Sequence, residues 1–403
     1  MGTLALRGGI VGLNFVIMIG LAAYLGLDAF GALAVAWGLA LVAGTVLSLG
    51  GPLMLLRHLT DGGGLSSQVV ILQVMVLPFL LAAIAYPLLE AVFPGSPWLA
   101  ILLAGLGINL VTCLASIMRA LGSLQLSMAL RDAGPQLALG QAVVFGAHTG
   151  DMVLIYTLFW LGLFAALAGF WCVRHPRFNS LIKPRGKAAD IAWSLWGTAV
   201  LGTGLAQVDI IAAAHLLSPE EVGLYALLRR LANLVALPVS VATWVSAAPV
   251  SAAFGARDIR QLQHASAKGS QIAFLPSLIL FAAGCAVLPL SSWILEDAAG
   301  VLALILLIGA LVQAIFASSY TVATLCAQAH WAAGARLLSI GLYLILAFHL
   351  GASAIGPIQN ALLYVGAISA GSLGLWVVIW WQMGVDTSVM VLMREKGAVW
   401  RLS

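Results

Sequence analysis

The sequence is poor in charged residues, and it lacks any extended polar segment. Asp, Glu, Lys and Arg make up 8% of its 403 residues, whereas hydrophobic residues make up 62%. Mean hydropathy is +1.08. Soluble domains carry charges on about a quarter of their residues. The composition therefore excludes a soluble globular protein, and no polar stretch is long enough to form a separate soluble domain.

Sequence motifs for catalysis and metal binding are also missing. There is no HExxH, no GxSxG, no phosphate-binding P-loop and no His/Cys cluster with metal-ligand spacing. The four cysteines lie in or at the ends of apolar runs, without CxxC spacing, and are interpreted as small core hydrophobes: Cys113, Cys172, Cys285 and Cys326. We therefore expect neither an enzyme nor a bound cofactor or metal.

Apolar runs of about 20 residues recur along the whole chain, and each is long enough to cross a bilayer as a helix. The alternating ten-residue segments of a membrane barrel are absent. The sequence predicts an all-α polytopic membrane protein with twelve spans. The predicted spans are 8–26, 30–56, 68–89, 98–118, 133–148, 152–173, 190–214, 222–250, 270–293, 299–325, 333–351 and 356–381.

The distribution of charges predicts the orientation of these spans. With a cytoplasmic N-terminus, all but two of the 18 Lys and Arg residues fall on the cytoplasmic side. Acidic residues occupy the opposite side: Asp28, Glu90, Asp151, Glu220, Glu221, Glu296 and Asp297. This pattern predicts a bacterial cytoplasmic (inner) membrane protein with both termini in the cytoplasm. Because the basic residues are spread over loops, the pI near 9.0 does not indicate nucleic-acid binding.

The sequence divides into two similar halves. The longest internal loop, 174–189, separates six spans from six, and the stretches "FGALAVAWGLA" (30–40) and "VGLYALLRRLA" (222–232) align at Gly31 and Gly223. An even number of spans per half implies a parallel repeat. We predict two six-helix lobes around a central cavity. The boundaries are an N-terminal lobe at 1–173, a basic cytoplasmic linker at 174–189, a C-terminal lobe at 190–381 and a cytoplasmic tail at 382–403.

The two exceptional basic residues, Arg229 and Arg230, fall inside the eighth span. A charge at the bilayer centre costs roughly 2.5–3.5 kcal/mol on insertion scales. Neighbouring helical residues point about 100° apart, so at least one guanidinium must face protein or water. Asp209, in the seventh span, is expected at similar depth. Two interpretations follow: a cationic cavity wall that binds an anionic substrate, or an ion pair that only joins spans seven and eight.

Other polar residues extend this candidate site. Asn233 lies one helical turn beyond Arg229 on the same face, and Asn14 lies in the first span. Asn14 is interpreted either as cavity-lining or as a helix–helix hydrogen bond. Arg57, like Arg119 and Arg336, lies at a cytoplasmic span end and is either a topology anchor or part of a basic vestibule. The predicted substrate-binding residues are Arg229, Arg230, Asn233, Asn14 and Arg57, with Asp209 as the ion-coupling or ion-pairing group.

The segment "VDIIAAAHLLSPEEVGLYALLRRLANLVALPVSVATWVSAAPVSAAFGARD" resembles the seventh and eighth spans of Wzx-type polysaccharide flippases, within the multidrug/oligosaccharidyl-lipid/polysaccharide exporter superfamily. "FGALAVAW…LSLGGPLMLLRHL" and "SIMRALGSLQLSMALRD" are similar to signatures of the first half. Matched by position, Asp209 corresponds to the family's intramembrane Asp, and Glu221 to Ala226 correspond to its turn. Either Arg229 or Arg230 corresponds to the basic residue that follows. One departure is that Trp37 and Gly38 stand at the first-half counterparts of the arginine pair.

The resemblance implies a function that composition alone does not. Such flippases move polyprenyl-diphosphate-linked oligosaccharides from the inner to the outer leaflet by alternating access, with cationic cavity residues holding the diphosphate or acidic sugars. The expected partners are therefore a polyprenyl-diphosphate-linked glycan, membrane lipid and other polysaccharide-assembly proteins, with no nucleic acid. We expect the carrier to be a monomer.

Three alternatives remain open at the level of sequence. The first is a cation-coupled multidrug exporter of the same superfamily, although the acids of the first half lie in predicted loops or span ends. The second is a membrane-embedded envelope polysaccharide enzyme, which the short outer loops disfavour. The third is a scaffold without transport activity.

Overall fold

The structure is a computed structural model, and it describes residues 2–60, 65–145, 150–183, 193–291, 297–326, 329–351 and 355–391. The protein is almost entirely helical. Within the described ranges, eleven helices are long and apolar enough to cross a membrane. The predicted all-α, multi-pass membrane architecture is confirmed. The chain forms two compact units: one comprises 1–214 and 219–223, and the other comprises 215–218 and 224–403.

The helices of the first unit are mostly long and apolar because each must satisfy its own backbone hydrogen bonds in hydrocarbon. They are α1 (Gly2–Leu25), α2 (Leu27–Leu47), α3 (Gly51–Thr60), α4 (Ser67–Ile71), α5 (Leu77–Val92), α6 (Trp98–Ala120), α7 (Leu124–Met128), α8 (Gly134–Val144), α9 (Gly150–Arg174), α10 (Phe178–Leu181) and α11 (Trp193–Leu216). Two π-helical turns join neighbouring segments: π1 (Leu72–Val76) and π2 (Ala129–Ala133). A core cluster containing Met54, Leu55 and Met118 brings α3 against α6.

The second unit contains the remaining helices. They are α12 (Pro219–Gly255, whose first residues belong to the first unit), α13 (Ile259–Ser291), α14 (Asp297–Ile315), α15 (Ala317–Leu325), α16 (Ala329–Leu350) and α17 (Pro357–Met383). One core cluster includes Val250, Val322 and Leu375, from α12, α15 and α17. Cys113, Cys172 and Cys326 are buried, which confirms their predicted role as small core residues, whereas Cys285 is only partly buried.

Most of the predicted spans coincide with these helices, but α13 begins at Ile259 rather than at 270, and the fifth span also begins early. The fifth span was predicted at 133–148, but α7, π2 and α8 form one continuous helical run over 124–144, about 30 Å long at 1.5 Å per residue. The prediction began the span after Arg131 and Asp132 because charges were assigned to the loop. In the structure these two side chains form an ion pair with each other, and the helix therefore contains them.

Two predicted spans are interrupted. The second span was predicted at 30–56, but α2 ends at Leu47, and Leu49 (φ 45°) and Gly50 (φ 75°) take left-handed backbone conformations before α3 begins. Leu49 is bulky, so this conformation is unusual and marks a sharp turn. The span predicted at 299–325 is broken at Phe316, between α14 and α15. Hydropathy cannot detect such breaks, because the interrupting residues are themselves apolar.

The two π-helical turns are each stabilised by an asparagine from a neighbouring helix. Asn109 Nδ2 on α6 donates to the Val74 carbonyl of π1 at 3.2 Å, and Asn14 Nδ2 on α1 donates to the Asp132 carbonyl of π2 at 3.1 Å. A π turn disturbs the regular helical ladder and exposes carbonyl groups that need donors. For Asn14, the predicted helix–helix hydrogen bond is therefore present.

The two aligned glycines of the repeat lie at a close contact between backbones. A Cβ on Gly31 would stand 2.3 Å from the Pro219 carbonyl oxygen, and a Cβ on Gly223 would stand 2.1 Å from the Leu27 carbonyl oxygen. Neither distance is compatible with a side chain. The first turns of α2 and α12 therefore approach each other through glycine at the same position of each half.

Part of the predicted linker is ordered. Residues 178–181 form α10, and Ile182–Lys183 pair in parallel with Leu65–Ser66. The remainder of the linker, 184–189, lies outside the described residues, as do the first residues of the predicted C-terminal lobe, 190–192. The predicted lobe and tail boundaries stay predictions; the described structure assigns most of α11 to the first unit.

After α17 the chain leaves the helix at Gly384 (φ 64°) and continues as a non-helical segment over 384–389, here called the C-terminal strap. The Gln263 amide exchanges two hydrogen bonds with the backbone of Asp386, at 2.6 and 2.7 Å. Ser270 Oγ donates to the Thr387 carbonyl at 2.7 Å, and Val389 N donates to Ile315 O at 3.3 Å, next to the break in α14. The strap is thus joined to α13 and to the α14–α15 junction.

Candidate functional site

The predicted residue Arg229 is buried within the second unit, with 8% of its surface exposed. Its Nη1 donates to Asn233 Oδ1 at 2.7 Å, which confirms the predicted contact across one helical turn of α12. Its Nη2 donates to the hydroxyl of Tyr364 on α17. The guanidinium carbon also lies 4.6 Å from the centroid of the Tyr364 ring, a cation–π distance.

A second polar pair extends this network. Tyr343 Oη on α16 donates to Asn360 Oδ1 on α17 at 2.6 Å, and the Tyr343 and Tyr364 rings pack edge to face with centroids 6.2 Å apart. Gln313 on α14 lines a small cavity beside Arg229 and Tyr364, with about 10 Å³ of water-accessible volume. That is room for about one water molecule. Three helices therefore surround the guanidinium with aromatic and amide groups.

The other two residues of the predicted charge cluster differ in burial. Arg230 is partly exposed, as expected for the neighbour of a buried helical residue. Asp209 on α11 is fully buried, within the first unit. The predicted ion pair between Asp209 and an arginine stays a prediction, as does the coupling role of Asp209.

The first unit contains a second group of basic residues, here called the first-unit arginine cluster: Arg7, Arg119 and Arg131. Arg131, on π2, forms a two-pronged ion pair with its neighbour Asp132, with Nε–Oδ1 at 2.7 Å and Nη2–Oδ2 at 3.1 Å. The two side chains remain 35% and 24% exposed. This pair is therefore accessible, unlike Arg229.

Arg7 and Arg119 approach the pair from other helices. Arg7, on α1, lies within electrostatic range of both Asp132 and Arg131, and Arg119, at the end of α6, lies within range of Arg131. Both are partly exposed. Asn14, one of the predicted site residues, holds the backbone of Asp132 and so fixes π2 in place. Arg7 and Arg119 are thus within electrostatic range of the Arg131–Asp132 pair.

The structure separates the predicted site residues into groups. Arg229 and Asn233 are in direct contact, and Asn14 belongs to the first-unit arginine cluster. Arg57 lies on α3, but its side chain falls outside the described residues. Among the described residues, no group of three His, Cys, Asp or Glu side chains is placed to hold a metal ion.

Sequence reasoning missed two features. Tyr343, Asn360 and Tyr364 around Arg229 carry no sequence signal, because a tyrosine in an apolar helix does not reveal which neighbour it faces. The convergence of Arg7, Arg119 and Arg131 was also missed. Arg7 and Arg131 were interpreted as topology signals, and Arg119 as either a topology anchor or part of a basic vestibule. The adjacent pair "RD" at 131–132, embedded in a helical stretch, was the available clue.

No protein-family model matches the chain, and no curated protein sequence matches it significantly. Solved structures do. The chain has the fold of the multidrug and toxin extrusion (MATE) transporters of the MOP superfamily, the same wider group that the sequence resembles.

Three of these structures illustrate the likeness. A MATE transporter in a straight conformation is 13% identical, with 94% of each chain covered and a TM-score of 0.64. A MOP superfamily transporter from Pyrococcus furiosus, described as having a binding pocket of reverse polarity, is 11% identical over 95% of this chain and 94% of that one, with a TM-score of 0.65. The MATE multidrug transporter DinF-BH, solved in complex with a ligand, is 16% identical over 95% and 94%, with a TM-score of 0.62. At these identities the likeness shows the fold.

Proposed function

We propose that the protein is an alternating-access carrier that moves a polyprenyl-diphosphate-linked oligosaccharide from the inner to the outer leaflet of the cytoplasmic membrane. The fold supports the transport part of the proposal, because the solved proteins that share it are transporters. The sequence resemblance to Wzx-type flippases supports the class of substrate. The proposal describes a carrier rather than an enzyme, with both termini in the cytoplasm.

The observation that carries the choice of an anionic substrate is the first-unit arginine cluster. Arg7, Arg119 and Arg131 contribute three positive charges, and Asp132 contributes one negative charge. Guanidinium groups bind phosphate oxygens in a two-pronged geometry, and the bond is stronger than between neutral groups. A diphosphate offers several oxygens that guanidinium groups can bind. Partial exposure allows these groups to reach a ligand without first being uncovered.

Asp132 supports this role because it orients Arg131. In the absence of a ligand, an exposed guanidinium on a flexible side chain would sample many rotamers, and binding would have to order it. The ion pair and the bond from Asn14 to the Asp132 backbone hold Arg131 in one place. A phosphate can then add to the cluster at a lower entropic cost.

The buried Arg229 is assigned a different role in this proposal. Its contacts with Asn233 and Tyr364 leave it little freedom to follow a moving substrate. We propose that Arg229 sets the electrostatic potential of the second unit and that the half-buried Arg230 contacts the substrate. Arg57, Asn233 and Asp209 keep their predicted roles as site and coupling residues.

A second candidate is a cation-coupled multidrug exporter, and one observation favours it. The solved neighbours include multidrug transporters, one of them in complex with a ligand. Asp132 would then be the first-unit carboxylate that couples transport, with Arg131 as the group that competes for it. The pocket of reverse polarity in the Pyrococcus furiosus relative shows that this fold also accommodates the opposite polarity.

Reconstitution separates the two candidates. Proteoliposomes containing the purified chain and a fluorescent polyprenyl-diphosphate oligosaccharide are treated with a quencher that reaches only the outer leaflet. We expect the protein to accelerate flipping relative to protein-free vesicles. Arg119→Gln should slow this flipping at least tenfold. Arg260→Gln, which removes an exposed arginine of the second unit, should leave it unchanged. If the lipid-linked sugar does not move while the same vesicles accumulate a cationic dye against an ion gradient, the exporter is the correct function.

A further inference from the structure

An apolar groove runs along the surface of the first unit between α6, the α7–π2–α8 run and α9. Its volume is about 340 Å³, and its walls include Met118, Leu130, Leu137, Phe164, Leu167 and Trp171. None of the described residues that line it is charged. Along α9 the groove extends from Phe164 to Trp171, about 10 Å at 1.5 Å per residue. Its uncharged, apolar walls suit a hydrocarbon chain.

The groove opens on the outside of the helices. Leu126 and Leu167 on its rim are 45% and 59% exposed. In a membrane-spanning protein, apolar side chains exposed at this level face lipid rather than water. The groove is therefore accessible from the bilayer, and a lipid chain can enter it sideways without crossing the polar interface.

Cationic and aromatic side chains stand where α9 leaves the groove. The Arg174 guanidinium lies 4.2 Å from the Phe170 ring centroid, and the His175 ring packs on Trp171 with centroids 5.2 Å apart. His175 Nδ1 accepts a hydrogen bond from the Arg177 backbone at 3.3 Å. A neutral imidazole that accepts at Nδ1 carries its proton on Nε2, so that nitrogen can donate to a ligand.

This arrangement places positive charge at the end of the groove where α9 ends. Arg174 and Arg177 are exposed, and the sequence continues with three further cations at 183, 185 and 187. Positive charge next to a cytoplasmic span end is attracted to anionic lipid headgroups, by about 1 kcal/mol per Lys or Arg at the surface. Tryptophan and arginine are also residues that anchor at the headgroup level.

We propose that this groove is a binding site for an anionic glycerophospholipid of the cytoplasmic leaflet. One acyl chain lies in the groove against Leu130, Phe164 and Trp171. The headgroup phosphate is held by the Arg174 guanidinium and by His175 Nε2. The apolar walls bind an acyl chain whatever its headgroup, whereas the cations bind an anionic headgroup more strongly. The site therefore selects lipids with a net negative charge.

The charge of the groove's cationic end decides the occupant. An apolar transmembrane helix of a partner protein would offer the Arg174 guanidinium no anionic group. A zwitterionic lipid would fill the groove equally well but would gain less from Arg174 and Arg177. The proposal is independent of the transported substrate, since it would hold for a flippase and for a drug exporter alike.

Fluorescence quenching by brominated lipids tests the proposal on the full-length chain. The protein is placed in phosphatidylcholine nanodiscs that contain a small fraction of brominated phosphatidylglycerol or of brominated phosphatidylcholine. The signal of Trp171 is taken as the difference between the parent chain and Trp171→Phe, since the chain has 13 tryptophans. We expect the anionic lipid to quench Trp171 at a several-fold lower mole fraction than the zwitterionic lipid.

Two variants assign the preference to the site. Arg174→Gln should reduce the selectivity for phosphatidylglycerol about fivefold, the equivalent of one surface cation. Arg260→Gln, on α13 of the second unit, removes an equally exposed arginine and should leave the selectivity unchanged. Ala129→Leu narrows the groove and should weaken quenching by both lipids. Thermal unfolding of each variant shows whether it is folded.

Three results would overturn the proposal. Equal quenching by the two brominated lipids would show that the cationic end does not select charge. A fall in selectivity with Arg260→Gln as large as with Arg174→Gln would assign the effect to overall charge. Loss of quenching on addition of a long-chain polyprenyl phosphate would identify the groove as a site for an isoprenoid chain instead.

Discussion

Helices α2 and α12 share a glycine contact in their first turns but differ in the residues that follow. The comparison shows which position serves helix packing and which carries a charge. Both first turns use glycine, Gly31 and Gly223, for a backbone contact. Six residues later α2 has Trp37, which is fully buried and whose Nε1 finds no hydrogen-bond partner among the described residues. At the equivalent position α12 has Arg229, bonded to Asn233 and Tyr364. The two halves thus keep one packing position and differ in charge.

In the first unit the arginines lie not on α2 but on α1, α6 and π2. Arg7, Arg119 and Arg131 are partly exposed, and Arg131 forms an ion pair with Asp132. Arg229 is buried and is bonded to Asn233 and Tyr364. A buried, fully bonded guanidinium contributes to the stability of its unit, and exposed guanidiniums contribute little to stability but remain able to bind a ligand. Burial therefore distinguishes the two sets of arginines more clearly than sequence position does.

The backbone contact that α2 and α12 share can be disrupted by a substitution at Gly223. A Cβ there would meet the Leu27 carbonyl at 2.1 Å, and backbone cannot move aside as a flexible side chain can. We expect Gly223→Ala to destabilise the fold by about 3 kcal/mol or more, and to lower the yield of folded protein sharply. Gly20→Ala is the matched control, because a Cβ at Gly20 meets nothing within 4 Å. Equal thermal stability of the two variants would refute the contact.

The next largest effect is expected at Arg229. Arg229→Ala removes the guanidinium and leaves the Asn233 amide and the Tyr364 hydroxyl without their donor in a buried setting. The expected loss is about 2–4 kcal/mol of unfolding free energy. Denaturant unfolding of the detergent-solubilised protein measures it. Arg131→Gln, in the exposed cluster, should cost less than about 1 kcal/mol in the same experiment. Similar losses for both substitutions would contradict the distinction by burial.

Transport should show the reverse order. The double substitution Arg119→Gln/Arg131→Gln removes two cations from the first-unit arginine cluster, and we expect flipping of a diphosphate-linked lipid to slow by at least tenfold, equivalent to about 1.4 kcal/mol. Arg119→Lys/Arg131→Lys should recover only part of the rate, because an ammonium group cannot bind phosphate in the two-pronged geometry. Full activity of the glutamine variant, at matched reconstitution, would exclude this cluster as the phosphate site.

The smallest predicted effect concerns Tyr364. Tyr364→Phe removes the hydroxyl that accepts from Arg229 but keeps the ring beneath the guanidinium. We expect a loss of about 1 kcal/mol in stability, the contribution of one hydrogen bond, with the cation–π contact retained. Tyr364→Leu removes both and should cost more. The difference between the two variants measures the ring alone, and no difference would mean that the aromatic contact is without effect.

The membrane spans could be predicted because the length of an apolar run and the charge of a loop are each summed over many residues. The same averaging explains the errors. The fifth span was placed too late because Arg131 and Asp132 neutralise each other inside a helix, an effect that a count of loop charges treats as a boundary. The ends of α2 and α14 were missed because Leu49 and Phe316 interrupt their helices with backbone conformation rather than with polarity.

The candidate site was predictable only where it depends on local spacing. Asn233 follows Arg229 by four residues, so their contact follows from helix geometry. Tyr364 lies on α17, far away in the chain, and only the tertiary fold brings it to Arg229. The first-unit arginine cluster likewise depends on how α1, α6 and π2 meet. Nothing in the residue types of Arg7 and Arg119 distinguishes them from topology signals.

The C-terminal strap makes the second unit depend on residues that lie beyond its last helix. The strap is bonded to the Gln263 amide, the Ser270 hydroxyl and the Ile315 carbonyl. The Ser270 hydroxyl also accepts a hydrogen bond from the Ser318 backbone N–H of α15. A protein truncated after Met383 would therefore still insert all its helices into the membrane. The polar groups of α13 and of the α14–α15 junction that bond to the strap would lose these partners. Reporter or affinity tags should therefore be fused after residue 391. A fusion placed directly after α17 would remove the strap's hydrogen bonds.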